Sequence, residues 1–113
     1  MSESEWISEL RMAWMMVFFD LPVGTPDERR DASRFREDLK KDGYFMVQFS
    51  VYARACVTEE KVKTHMRRLK PLIPPNGEVR ALVITDLQWK RMVVYFGNKP
   101  KQPEEMPEQL SFL

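Results

Sequence analysis

Hydrophobic and polar positions change period several times along the 113-residue chain, and each change marks an element. Ala13 to Phe19 is apolar throughout, so Ala13, Met15, Val17 and Phe19 form one face of a strand and Trp14, Met16 and Phe18 the other. A strand apolar on both faces is a central strand covered from both sides. The run stops at Asp20-Leu21-Pro22, with Asp20 continuing the Trp14, Met16, Phe18 face. After a turn from Leu21 to Pro26 the period becomes helical: Asp27 to about Asp42 buries Ala32, Phe35 and Leu39, and Gly43 ends it. Tyr44 to Cys56 returns to alternation, and by pattern alone it is one long strand. Thr58 caps a second helix with Glu59 and Glu60 in its first turn, a buried stripe of Val62, Met66 and Leu69, and Pro71 at its end. Its outer side is basic (Lys61, Lys63, Arg67, Arg68, Lys70), and His65 among them reads as a surface residue.

Pro74-Pro75-Asn76-Gly77 is a turn, followed by a strand from Val79 to Thr85, a loop from Asp86 to Lys90 and a strand from Arg91 to Phe96. Gly97 to Pro107 is rich in Pro, Lys and Glu and reads as an extended, mobile tail. It closes on Leu110-Ser111-Phe112-Leu113, an apolar end that either adds a strand to a sheet edge or frays. At the other terminus Ser2 and Glu5 have capping-box spacing ahead of Trp6, Ile7 and Leu10, a short amphipathic helix or a fraying one. The organisation is an N-terminal extension (1–11), one domain (12–97) and a C-terminal tail (98–113).

A composition of 43% hydrophobic and 31% charged residues suits one soluble domain with a modest core, and a sheet apolar on both faces gains by covering the second with another copy. No apolar run approaches the roughly twenty residues of a membrane span, and no basic-then-apolar leader opens the chain, so the expected location is cytoplasmic, with no membrane partner. Cys56 is the lone cysteine and His65 the lone histidine, which leaves no disulfide and no zinc set and gives Cys56 a packing role. The net charge of +1 hides a segregation, since Arg11 to Lys101 holds all 18 basic side chains but 11 of the 17 acidic ones, a balance of +7. Such a body either attracts a polyanion, most commonly a phosphate backbone, or is an ordinary salt-bridged surface. On the first helix Arg29, Ser33, Arg36 and Lys40 form a basic row that begins just after Asp20. Asp20 itself is either a turn-capping aspartate or a carboxylate kept at an apolar edge to hold a cation.

Val17-Phe18-Phe19-Asp20-Leu21-Pro22, Arg29-Arg30 with Phe35-Arg36, Gly43 through Gln48-Phe49-Ser50-Val51-Tyr52-Ala53-Arg54, and Val79-Arg80 leading to Thr85-Asp86 occur in order. With them, the chain from Met12 to Gly97 resembles the CRISPR-associated endoribonuclease-type family, the smaller, dimeric one of the two core proteins that acquire new spacers. Its flavour is that of variants found beside single-protein effector nucleases. The resemblance implies an α+β fold, a ferredoxin-like split β-α-β sandwich with an additional C-terminal strand, in which Tyr44 to Cys56 supplies two antiparallel strands reversing near Gln48 to Ser50. It implies a homodimer paired through the sheet faces that helices leave bare. It makes magnesium the expected ion and Asp20 the metal-binding residue, and the catalytic one if there is catalysis. The expected partners are a double-stranded DNA prespacer, with single-stranded RNA as the other candidate, and a larger integrase forming a hetero-oligomer.

On this reading Arg29, Arg30, Arg36 and Arg54 are the candidate phosphate contacts, and Leu110, Phe112 and Leu113 the candidate docking residues toward the integrase or the second subunit. No second acid is identified that converges on Asp20 within the chain, and no histidine is poised as a general base. Asp86 ends another strand but reads first as a turn residue. Two rival classes remain: a free-standing toxin-type metal-dependent ribonuclease, and a non-catalytic RNA-binding module for which Tyr52 and Tyr95 are the available stacking aromatics.

Overall fold

The computed structural model describes residues 12–107. Its main sheet is antiparallel with strand order β2-β3-β1-β4, where β1 is Ala13–Asp20, β2 Phe45–Gln48, β3 Val51–Cys56 and β4 Glu78–Thr85. Helix α1 (Pro26–Lys41) joins β1 to β2, and α2 (Glu59–Leu69) joins β3 to β4 through a 3₁₀ turn at Lys70–Leu72. Each helix therefore connects two parallel strands with a third inserted between them, which is the split β-α-β arrangement of a ferredoxin-like α+β sandwich. The Tyr44 to Cys56 segment is two strands, not the single strand its alternation suggests. The chain reverses at Phe49 and Ser50 with Gln48 opposite Val51, and a register shift between Met46 and Gln48 then sets Phe45 opposite Ala53 and Met46 opposite Tyr52, so odd and even positions keep their own faces and the alternation does not reveal the turn.

Helix α1 starts one residue earlier than Asp27. Thr25 and Glu28 form a reciprocal capping box, the Glu28 N–H donating to Thr25 Oγ1 (3.1 Å) and the Thr25 N–H to Glu28 Oε1 (2.9 Å). Pro26 then occupies a first-turn position where no N–H is needed. The helix-side core sets Met15, Val17 and Phe19 of β1 against Phe35 and Leu39 of α1 and Val62 and Leu69 of α2. Cys56 packs there as expected, and burial pushes its thiol pKa up.

The second face of the sheet is covered at one end by this chain itself. Asp86 to Lys90, expected as a loop, is a short helix, α3, because Thr85 and Gln88 close a second capping box. It lays Trp89 on Trp14, with ring centroids 4.2 Å apart and planes at 11°. The Trp14 indole N–H donates to Asp86 Oδ1 (2.8 Å), and that of Trp89 to the Glu104 carbonyl (2.7 Å). The tail is consequently not free: Val94–Phe96 (β5) and Lys99–Lys101 (β6) form a hairpin, and Met106 packs against the Trp14, Trp89 cluster. Toward Asp20 the same face stays open, with Met16 and Phe18 half-buried and Leu82 48% exposed.

Among the described residues no helix is long and apolar enough to cross a membrane. Leu110, Phe112 and Leu113, and the capping box of Ser2 and Glu5, lie outside the described residues.

A candidate nucleic-acid interface at the end of the central strand

Asp20 is the last residue of β1 and is exposed. The antiparallel register with β4 sets Glu78 directly opposite it, continuing the series Trp14 with Ile84, Met16 with Leu82 and Phe18 with Arg80. Residues facing each other in this way share a side of the sheet with Cβ atoms about 5 Å apart, so two acidic residues stand at the edge of the open apolar face. Arg80, two residues on along β4, takes up the Glu78 carboxylate. Its Nε donates to Glu78 Oε1 at 2.6 Å, and this bond holds the Glu78 carboxyl below its usual pKa. Sequence reasoning missed Glu78 because the pairing exists only once β1 and β4 are known to be neighbours in that register. The available signal was Gly77-Glu78 opening the strand after the turn.

The segment before β4 is also fitted to Asp20. Gly77 has φ +97°, and a Cβ there would lie 2.7 Å from the Asp20 carbonyl oxygen and 2.8 Å from a Leu21 methyl. Only a residue without a side chain lets the chain pass this close in that conformation.

The four candidate arginines are distributed unequally. Arg29 and Arg30 stand exposed in the first turns of α1, a few residues beyond Asp20. The Arg29 guanidinium donates to the Val23 carbonyl at 3.2 Å, and Arg30 pairs with Asp27 at 3.1 Å, an exposed pair of little energetic weight. Arg36 is half-buried, its guanidinium carbon 4.2 Å from the centre of the Phe49 ring and 5.2 Å from that of Phe19. The Phe19 N–H donates to the Ser50 carbonyl at 3.0 Å, which brings the β2–β3 turn to the Asp20 end of the molecule.

Arg54 lies elsewhere. It is opposite Met15 in the sheet register, roughly 16 Å along β1 from Asp20 at about 3.3 Å per residue. Its guanidinium donates to the Asp42 carbonyl at the C-terminal end of α1, where a cation complements the helix dipole. Gly43, with φ +92°, gives that guanidinium room: a Cβ would come within 2.6 Å of Nη1.

The expected surface histidine is buried, only 5% exposed, because α2 buries Val62, His65 and Leu69, leaving Met66 half-buried. His65 Nδ1–H donates to Asp42 Oδ2 at 2.7 Å, while Arg68 ion-pairs with Asp42 Oδ1 at 2.6 Å. Burial lowers the His65 pKa, against the pull of Asp42 and with the help of Arg54 and Arg68. Asp86 takes the Trp14 indole and pairs with Lys90 at 3.1 Å, which accounts for it without reference to Asp20. Tyr52 is 1% exposed and unavailable for stacking, whereas Tyr95 is 62% exposed and Phe49, in the β2–β3 turn, 72% exposed.

Comparison with known proteins agrees with this architecture in two steps. The fold is that of ferredoxin-like α+β proteins seen in a solved structure titled "Crystal structure of cas2", which superposes with a TM-score of 0.54 at 20% identity over 85% of this chain and 98% of that one. Residues 12–92 match the family CRISPR associated protein Cas2. The chain is 44% identical over 97 residues to a protein of Parvibaculum lavamentivorans named CRISPR-associated endoribonuclease Cas2, covering 86% of this chain and 96% of the relative. A protein of the same name from Flavobacterium psychrophilum is 38% identical over 104 residues, covering 92% and 90%. The chain belongs to the Cas2 family.

Proposed function

We propose that this chain works as a dimeric, nucleic-acid-binding scaffold of CRISPR spacer acquisition, gripping the backbone of a short DNA duplex at the Asp20 end of the sheet beside a larger integrase. The observation that supports it most directly is the exposed pair Arg29 and Arg30 in the first turns of α1, next to an exposed strand-terminal carboxylate. Exposed guanidinium groups match phosphate oxygens in bidentate geometry, which favours a phosphate backbone as their partner. Contacts of this kind read phosphate and not sequence. The open patch of Met16, Phe18 and Leu82 on the same side of the sheet is the surface a second copy would cover, bringing two Asp20 side chains toward one axis.

Asp20 and Glu78 fit magnesium as a donor set. They are hard oxygen ligands, and this ion is commonly held by one or two carboxylates while keeping waters or taking phosphate oxygens. Among the described residues of one copy no group of three or more metal-binding side chains exists, so Asp20 and Glu78 are the donors a single copy offers. Bound there, magnesium would supply Lewis-acid polarisation of a phosphodiester. The chain's own residues would hold the ion through Asp20, keep Glu78 oriented through Arg80, and fix the backbone through Arg29 and Arg30.

The carboxylate pair also favours a second reading, metal-dependent cleavage of RNA, in line with the name its relatives carry. Asp20→Asn separates the two, since it abolishes magnesium-dependent cleavage of single-stranded RNA if there is any and leaves duplex binding without magnesium intact. The test of the scaffold reading is the salt dependence of duplex binding. If each arginine neutralises one phosphate, replacing Arg29 and Arg30 together by Ala flattens the slope of log K against log salt by about 2. An unchanged slope would overturn the reading.

A further inference from the structure

We infer that Phe49 is a stacking platform for an unpaired nucleobase, so that the Asp20 end, which meets the duplex through phosphate, gains further affinity wherever the strand it holds has unpaired bases. This rests on the proposal that a phosphate backbone lies there, and it deepens it by naming the strand state. Phe49 sits in the two-residue turn between β2 and β3 with negative φ, a conformation open to most residues, so turn geometry does not call for a phenyl ring. The ring is 72% exposed. It is nevertheless held, because the Arg36 guanidinium lies over it at 4.2 Å and is itself backed by Phe19 at 5.2 Å.

Arg36 makes this arrangement at a cost. Its Nε is buried and has no hydrogen-bond partner among the described residues, so the guanidinium is committed to ring faces. A guanidinium over one side of the phenyl ring leaves the rest of it to solvent, in position to receive a flat π surface. The Phe19 N–H to Ser50 carbonyl bond ties this turn to β1 one residue before Asp20, and the Arg36 contact ties it to α1, the helix that carries Arg29 and Arg30. A nucleotide whose phosphate meets that end can place its base on Phe49 only if the base is not already sandwiched in a duplex. RNA and DNA share this chemistry, since every base has a π face.

The test is binding of fluorescein-labelled single strands of about 12 nucleotides: oligothymidylate, oligouridylate, and a strand of abasic sites with the same number of phosphates. The native chain should bind the base-bearing strands about 5- to 150-fold more tightly than the abasic one, the range of one stacked base. Phe49→Ala should erase that difference and leave abasic binding and its salt slope unchanged, while Phe49→Trp should restore or widen it. A loss on the thymidylate or the uridylate arm alone assigns the platform to that nucleic acid. Equal affinity for base-bearing and abasic strands, or a preference that survives Phe49→Ala, overturns the inference. In that event a salt-dependent affinity that drops with Arg29 and Arg30 leaves the phosphate reading standing, whereas absence of any binding removes both. Phe49 is exposed, so the Ala variant is expected to fold, which unchanged far-UV circular dichroism would verify.

Discussion

Gly77 touches Asp20: a Cβ at position 77 would stand 2.7 Å from the Asp20 carbonyl oxygen, and the backbone there has φ +97°. Gly77→Ala therefore meets two obstacles, a conformation that L-residues avoid and a collision with backbone that cannot swing aside. The expected cost is ~1–3 kcal/mol, with the strand end carrying Asp20 displaced. Gly97 supplies the control, since it too has positive φ (+65°) but nothing within 4 Å. Gly97→Asn should be close to neutral, because Asn tolerates the left-handed region. Urea unfolding of the two variants checks the contrast, and equal destabilisation would refute the steric argument.

His65 and Asp42 tie α2 to the end of α1, and their environment fixes a pH dependence. His65 faces Asp42, Arg54 and Arg68, and burial lowers its pKa below the ordinary 6.5. A histidine depressed in the folded state takes up protons more readily when unfolded. Its contribution is therefore complete above about pH 6.5 and is lost as pH falls through the lower native value. The unfolding midpoint should decline on acidification across that window, and His65→Asn should flatten this part of the profile. A profile that keeps its full slope in the variant would place the proton uptake elsewhere.

Much of this fold was legible in the residues. The apolar run of β1, the Ala32, Phe35, Leu39 stripe and the Thr58 cap all appear where periodicity and capping chemistry put them, because each is a local property of a few neighbouring side chains. What escaped local pattern is whatever depends on long-range pairing. The β2–β3 reversal hides behind a register shift that restores parity, Glu78 faces Asp20 only through register, and His65 is buried because a carboxylate from another helix end receives it. Arg54 looked equivalent to Arg29 and Arg30 in sequence, yet strand register carries it to the opposite end of β1.

Trp89 shows how a stretch with loop-like residues becomes core. The ring is fully buried, stacked on Trp14, and its indole N–H reaches the Glu104 carbonyl. Trp89→Ala should cost ~3–5 kcal/mol, the range for deleting a large buried aromatic, and should release the segment around Glu104 and Met106 from the sheet. Trp89→Phe keeps a ring on Trp14 and loses the hydrogen bond, for about 1 kcal/mol. Thermal unfolding ranks the pair, and hydrogen exchange of residues 102–107 reports the release. Equal protection in native and Ala chains would mean the tail is held by other contacts.

Leu82 tests the second copy. It is 48% exposed beside half-buried Met16 and Phe18, on the same side of the sheet as Asp20 and Glu78. In an isolated subunit Leu82→Glu changes a partly solvated position and should alter stability by no more than about 0.5 kcal/mol. Across a twofold axis the same carboxylate is desolvated, and twice over, beside two further acids from each copy, so association should weaken by several kcal/mol. Sedimentation equilibrium is expected to show a native dimer and a monomeric variant, and the native chain alone should melt at a temperature that rises with its concentration. A variant that sediments as the native protein does would mean the open face is not where two copies meet, and the approach of two Asp20 side chains would fall with it.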